Sequence, residues 1–532
     1  MKKIFLNTSI ALAAFLTFSS CSQDFLDVNH NPNEAYNNQL TPKERLAAAE
    51  TTLYSTQAII VNRFGNLMMN AWSGNVHYYA SPFSDEFSMK ADSNFYNEIW
   101  DNYYNGIANY QAIIDTKNAS LDYPHHVAIA KIMKAYYMGY IVDLYNDAPY
   151  SEAFKGLSNP TPKYDKGADI YKNLVLELND ALVLLTKTPV AANVVAANQD
   201  PILAGVMTDW KKMALTVKLR LLVRQSKCTD NNVKTFVASE LASMPTNTAE
   251  YVTSDVKINP GYSNASTAQQ NPFYRAYGLV DINIGDYSAN YRLVFGSEHI
   301  IDNLMGRTTS TSGLVDSRVS KMFLENGVAN YLVVPDPTTA GYYGVKQGAQ
   351  KDPSRVEADY ATLGSTMYYR GGSTGSAQNG YVLTAAESKL LQSEAGISFP
   401  TSGFASNAQA RFNEGVAASF TFYGLSSAAS AAYLASADSK PNVGWTASAD
   451  KLAAIQYQRW IALTSINPLE TYIDYTKTGY PVTPMPLGSY KPTRPLRLMY
   501  PQSEYIANSA NVPTMSLDDV FTLNQYSPFW LK

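Results

Sequence analysis

The chain holds few residues of the kind that do covalent or metal chemistry, and their spacing is wrong for it. Its histidines are His30, His77, His125, His126 and His299, and its only cysteines are Cys21 and Cys228. Zinc sites draw on His and Cys at short fixed spacings, and the sequence contains no H-E-x-x-H and no Cys-x-x-Cys. His125 and His126 fall near the start of a predicted helix, where adjacent residues face different ways, and the pair reads as solvent-facing. The alternation Asp27, Asn29, Asn31, Asn33 is of the calcium-loop kind, but its sixth and twelfth places hold Pro32 and Asn38, where that loop needs Gly and Glu. The stretch reads instead as a turn-rich leader. No G-x-S-x-G, P-loop or G-x-G-x-x-G occurs. Glycoside hydrolysis asks only for two carboxylates astride a sugar. Asp85, Glu86 and Glu98 lie among aromatics, but read as solvated groups or as acceptors for ligand hydroxyls. The sequence therefore assigns no catalytic residue, no metal and no cofactor, and points away from an enzyme.

What the chain has in excess is aromatic residues. It carries 39 Tyr, 20 Phe and 6 Trp, and the tyrosine share is about twice the ordinary usage. Tyrosine joins an apolar face to a polar rim and suits wet binding surfaces. The rings cluster in loops beside Asn, Asp and Arg: Trp72 to Tyr79, Pro82 to Phe87, Asn271 to Tyr277, Tyr287, Tyr291-Arg292, Tyr342-Tyr343 and Tyr368-Tyr369-Arg370. Sugars and peptides both offer an apolar face to stack and polar groups to hydrogen-bond. Each ring can bury about 150–250 Å², worth a few kcal/mol before costs at ~25 cal/mol per Å². The candidate ligand-binding residues on this reading are Trp72, Asn75, Tyr78, Tyr79, Asp85, Tyr274, Arg275, Tyr277 and Tyr291. The competing reading has such rings sealing loops against the body.

The elements that must position these loops are helical. Thr41-Pro42-Lys43-Glu44 is a helix start, with Thr as N-cap, Pro at the first position and Glu at the third, and the helix runs to about Arg63. Three-and-four apolar spacing predicts further helices over about 95–116, 124–144 and 165–185. Another starts with Thr208 or Asp209 as cap and runs to about Arg224. Helices of this length joined by irregular links suggest stacked helical pairs. From about 230 to 380 helical periodicity fades, and so long an irregular stretch suggests a functional insertion. Helices return over 384–395, 407–423, 430–437 and 450–465, and the tail from Pro468 reads as loops. The expected organisation is 1–20 signal peptide, 21–40 leader, 41–230 helical region, 231–380 ligand-binding insertion and 381–532 C-terminal helices with a loop-rich tail.

Lys2 and Lys3, the apolar run Ile4 to Phe18 and the small residues before Cys21 have the layout of a secretory signal. The run is shorter than the roughly 20 residues of a membrane span. A cysteine at the cut is similar to a bacterial lipobox, so Cys21 is the expected lipidation site, anchoring the protein without spanning the membrane. Cys228 then has no mate for a disulfide and reads as a buried, inert thiol. A formal charge of −4 with scattered Lys and Arg argues against nucleic acid, which wants a concentrated basic face.

In order along the chain, the leader Asp27-Val-Asn-His-Asn-Pro-Asn33, Asp147-Ala-Pro-Tyr-Ser-Glu-Ala153, Trp210 to Leu221 with Lys218-Leu-Arg220, Gln458-Arg459-Trp460 and Arg497-Leu-Met-Tyr500-Pro501 resemble the SusD/RagB family of Bacteroidetes outer-membrane lipoproteins. That resemblance implies an all-α fold of tetratricopeptide-like helix pairs with a large irregular ligand-binding portion. It also implies a lipid-anchored place at the cell surface, capture of a glycan, or in the RagB lineage a peptide, and handover to a SusC-like TonB-dependent transporter. A lipid-anchored polysaccharide hydrolase is the more distant alternative.

Overall fold

The computed structural model describes residues 40–278, 288, 290–324, 341–364 and 372–532. Cys21 with its signal and most of the leader, His30, Tyr287 and the Tyr368-Tyr369-Arg370 cluster lie outside the described residues. The fold is mostly helical, built from stacked helix pairs.

Helices form where the apolar spacing predicts them. α1 (Pro42–Thr56) opens on Thr41, whose backbone N–H donates to the Glu44 carboxylate at 2.6 Å. It passes through a π-helical turn, Gln57–Val61, into α2 (Asn62–Met68). α3 (Asn97–Ile114), α4 (Pro124–Tyr145), α5 (Gly167–Leu184) and α6 (Met207–Arg224) follow. α3 packs on α1, α4 on α3, α5 on α4 and α6 on α5. α4 is buried on nearly every side, as expected for a central helix that is apolar all round. α6 begins two residues early: Val206 is its cap residue, and Thr208 and Asp209 lie in its first turn, where an acid suits the positive end of the helix dipole.

Two departures from the sequence reading are regular helices in stretches expected to be irregular. α7 (Asn231–Ala242) starts on Asp230, whose carboxylate accepts the backbone N–H groups of Asn232 and Val233 at 2.7 and 3.2 Å. After it the described middle region holds only short elements, among them α8 (Pro272–Tyr277) and α9 (Glu298–Leu304). α10 (Ala385–Ser398), α11 (Ala408–Phe422), α12 (Ser427–Ala437) and α13 (Lys451–Leu463) form as expected. α14 (Pro468–Thr478) occupies the start of the supposed loop tail. Pro468 in its first turn and Gly479 just past its end, at φ 79°, are ordinary start and stop signals. His126 also departs: it is buried, with Nε2 3.2 Å from Gln199 Oε1, because its side of α4 packs inward, while His125 is only partly covered. Cys228 is buried as expected, and burial raises its thiol pKa.

An antiparallel sheet ties the middle region to the helices. β1 (Trp72–Gly74), β2 (Val294–Gly296), β3 (Phe323–Leu324) and β4 (Thr362–Leu363) lie in the order β1-β2-β4-β3, with Trp72 opposite Gly296 and Phe295 opposite Thr362. Gly296 permits the approach, since a Cβ there would sit 2.8 Å from the Phe323 ring.

Elsewhere in the body, α4, α6, α10, α13 and α14 meet around a buried ionic network. Arg224 pairs with Asp143 (3.2 Å), Glu470 (2.8 Å) and Asp474 (3.3 Å), and Arg220 with Glu470 (3.3 Å). Arg459 pairs with Glu394 (2.8 Å) and Asp474 (2.5 Å), and Lys477 also reaches Glu394. Glu387 lies beside the cluster. Burial, and then the charge of Glu470, push its pKa up to about 8, so it stays protonated at neutral pH and adds no unmatched charge.

Candidate ligand-binding cleft

The sheet and the ends of α2 and α9 hold the loops that form the cleft. Trp72 itself is fully buried. Its Nε1–H donates to Ser465 Oγ at 3.0 Å, and its ring meets Tyr277 edge-on at 5.1 Å. Tyr274, Tyr277 and Tyr291 are buried as well, and the Tyr277 hydroxyl donates to the Ile59 carbonyl at 3.0 Å. These four rings, read from the sequence as ligand contacts, are core residues instead. They lie on or beside β1, α8 and β2, which turn them against the helices, and none of the four lines any of the cleft's cavities. Arg275 is half-buried, directs Nη2 to Ser55 Oγ at 3.3 Å and lines none of the cleft's cavities. Asn75 is buried too. Its Oδ1 accepts the backbone N–H groups of His77 and Tyr78 at 3.0 and 3.1 Å, and its Nδ2 donates to the Arg292 carbonyl (2.8 Å) and to Glu357 (2.7 Å). It shapes the loop as Asn commonly does and makes no outward contact.

Tyr78, Tyr79 and Asp85 do reach the surface. The Tyr78 ring is 50% exposed, meets Tyr79 edge-on at 4.6 Å and has the Arg292 guanidinium 3.8 Å from its centroid. Arg292 is held in turn by Glu357, donating from Nε at 3.0 Å and Nη2 at 2.8 Å. Burial would raise the Glu357 pKa, but the hydrogen bonds from Arg292 and Asn75 outweigh it and hold the carboxylate ionised. The arrangement is a platform: one side of Tyr78 is fixed by a cation–π contact, and the rest of the ring is open.

Next to this platform lies a cavity of about 550 Å³. Tyr343 projects into it between two guanidinium groups, Arg355 at 4.5 Å and Arg307 at 5.2 Å from the ring centroid. Arg307 Nη1 donates to the Tyr342 carbonyl at 2.7 Å and to Asp302 at 3.3 Å. Tyr360 closes one wall, stacked on Phe295 of β2 at 5.7 Å, with the His77 ring 5.4 Å away. Burial, with the Lys351 charge adding to it, lowers the His77 pKa. Its Nε2 is buried and has no hydrogen-bond partner among the described residues. A second depression of about 370 Å³ shares Val76, Ala349 and Gln350 with the first and extends to Asp85. A third of about 350 Å³ shares Ser84 and Asp85 with the second and includes Glu86 and Glu98. Glu86 is engaged within the protein, accepting from the Tyr96 hydroxyl at 2.7 Å.

The three depressions form one groove along the loop 76–87. Glu298, Asp302 and Asp352 balance Arg307, Lys346 and Arg355 around the main cavity. Such a lining suits a polar ligand of little net charge, with aromatic faces to stack and charged groups to hydrogen-bond. Tyr360, Arg307, Arg355 and Glu357 were not singled out from the sequence, and Tyr343 and Arg292 were named there only within the aromatic clusters, not as candidate ligand-binding residues. The Tyr342-Tyr343 pair followed by the charged stretch 346–359 was the available signal.

A protein-family model described as starch-binding and associating with the outer membrane, SusD-like, matches residues 32–501. The chain belongs to this SusD-like family. Solved structures agree in fold. A chitin-binding SusD homologue from Flavobacterium johnsoniae is 20% identical, with a TM-score of 0.64 over 88% of this chain and 94% of that one. A SusD homologue from Bacteroides fragilis is 19% identical, with a TM-score of 0.67 over 93% of this chain and all of its own. No curated protein sequence matches the chain. Among the described residues of this SusD-like protein, no helix is long and apolar enough to cross a membrane.

Proposed function

We propose that this SusD-like protein captures a glycan in the groove along loop 76–87 and delivers it to a SusC-like TonB-dependent transporter, from a position at the outer membrane held by acyl chains on Cys21. The observation that carries the reading is Tyr343, presented to a 550 Å³ cavity between the guanidinium groups of Arg307 and Arg355. A pyranose stacks its C–H face on such a ring while its hydroxyls meet the flanking donors and carboxylates. Membership of a family described as starch-binding and the chitin-binding relative support a glycan over a peptide. Capture needs no chemistry, in keeping with the lack of catalytic motifs in the sequence. Calorimetric titration with starch-type and chitin-type oligosaccharides and with a peptide mixture tests this. Saturable glycan binding without products, weakened at least tenfold by Tyr343→Ala, is expected. Binding of peptides alone, or release of sugar products, would overturn it.

A further inference from the structure

Behind the main cavity, α9 and α13 enclose a smaller space that the groove does not account for. A depression of about 180 Å³ shares Glu298, Asp302 and Lys346 with the main cavity and is lined on its far side by Asn70, Gln347 and His299. It shares His299 and Thr308 with an inner cavity of about 130 Å³ walled by Tyr457, Trp460 and Tyr480. No charged side chain lines the inner cavity. His299, tilted against Trp460 at 5.3 Å, is kept neutral by burial, which pushes its pKa down to about 4.

Three buried polar groups along this route have no hydrogen-bond partner among the described residues. They are the acceptors Asn70 Oδ1 and Gln347 Oε1 and the donor Trp460 Nε1–H. All three side chains are more than nine-tenths buried. The other end of each amide is anchored: Asn70 Nδ2 donates to the Pro484 carbonyl at 3.1 Å, and Gln347 Nε2 to the Leu67 and Trp72 carbonyls at 2.9 and 2.7 Å. The amides therefore cannot turn to find partners elsewhere without breaking these bonds. Unpaired buried polar groups are costly and uncommon, and here the residues that carry two such acceptors and one such donor line adjoining cavities. The inner cavity has room for roughly ten water-sized groups, about the size of one hexose.

We infer that this side chamber is a second binding pocket, taking a single neutral sugar ring that stacks among Tyr457, Trp460 and Tyr480 and pairs with Trp460 Nε1–H. The ring is either a free monosaccharide or a branch of a longer glycan held in the groove. Only the branch form rests on the function proposed above.

The test titrates the full-length protein with glucose, galactose and N-acetylglucosamine, following tryptophan fluorescence and heat. It then compares a branched oligosaccharide with its linear counterpart. Three variants separate the sites. Trp460→Phe removes the unpaired N–H and shrinks the ring while keeping an aromatic side chain, Ser310→Trp closes the mouth from an exposed position, and Tyr343→Ala disables the groove. Monosaccharide binding that survives Tyr343→Ala but falls at least tenfold in both other variants establishes a free-sugar pocket. A branched ligand preferred at least fivefold, with the preference lost in Ser310→Trp, establishes a branch pocket. Affinities for all ligands that Trp460→Phe and Ser310→Trp leave unchanged overturn the inference. Loss of binding in Tyr343→Ala alone would then still report on the groove.

Discussion

Tyr78 and Trp72 lie in the same loop sequence and do opposite work. Tyr78 stands half in solvent over Arg292, whereas Trp72 is sealed into the core. Tyr78→Ala is therefore expected to weaken glycan binding by roughly tenfold, about 1.4 kcal/mol, with little change in stability. Trp72→Ala should cost about 3–5 kcal/mol of folding free energy and act on affinity only through unfolding. Urea melts beside calorimetry distinguish the two, and equal effects in both assays would refute the division. Glu357→Gln tests the layer behind the platform. The variant keeps the size of the side chain but loses the charge that holds Arg292, so binding at Tyr78 should weaken while Tyr78→Ala shows no further loss when combined with it. The sequence singled out the loop that holds Tyr78 and Tyr79 but did not separate its exposed rings from its buried ones. Burial of Trp72, Tyr274, Tyr277 and Tyr291 is decided by strand pairing and by the packing of α8, neither of which leaves a mark in local composition.

At the scale of helices, the start signal at Thr41 was legible, whereas the cap read at Thr208 or Asp209 lies inside α6, which starts from Val206. Thr41, Thr384 and Asp450 begin helices as their side chains suggest. α14 was missed although Pro468 and Gly479 mark it, because a tail rich in Pro and Tyr was read as a whole. What no local signal could give is the meeting of these helices around Arg220, Arg224, Arg459 and Lys477. Residues of α4, α6, α10, α13 and α14 are far apart in the chain, and their charges identify one another only once packed. The network makes stability depend on pH through Glu387. Its pKa is about 8 in the folded protein against the ordinary 4.5, so between those values the folded state keeps a proton that the unfolded chain has lost. Stability then declines as pH rises through that window. Glu387→Gln removes the dependence: its melting temperature should exceed that of the parent at pH 9 by more than at pH 6. An equal difference at both pH values would show that Glu387 is ionised throughout.

The molecule as a whole is a helical body carrying its groove on one loop-built face, with the expected anchor at the other end of a leader outside the described residues. Replacing Cys21 by Ala should move the exported protein from the membrane fraction to the soluble one without altering glycan affinity. Retention in the membrane fraction would mean another mode of attachment. Fold class was readable from helical spacing and from the ordered family signatures, since both are written locally. The irregular middle was readable only as irregular.

The sheet that frames the groove has a consequence for how the protein comes to exist. Its strands are drawn from the seventies, the 290s, the 320s and the 360s of the chain, while the contacts of α3, α4 and α5 are between neighbours in sequence. Local contacts form early, and pairings across long loops must wait until the entropy of closing those loops is met. An emerging chain would thus pack α3, α4 and α5 first and become competent to bind last. Part of the helical core can be packed before the groove exists, and a lesion in β2 would yield molecules that are compact, exported and empty-handed.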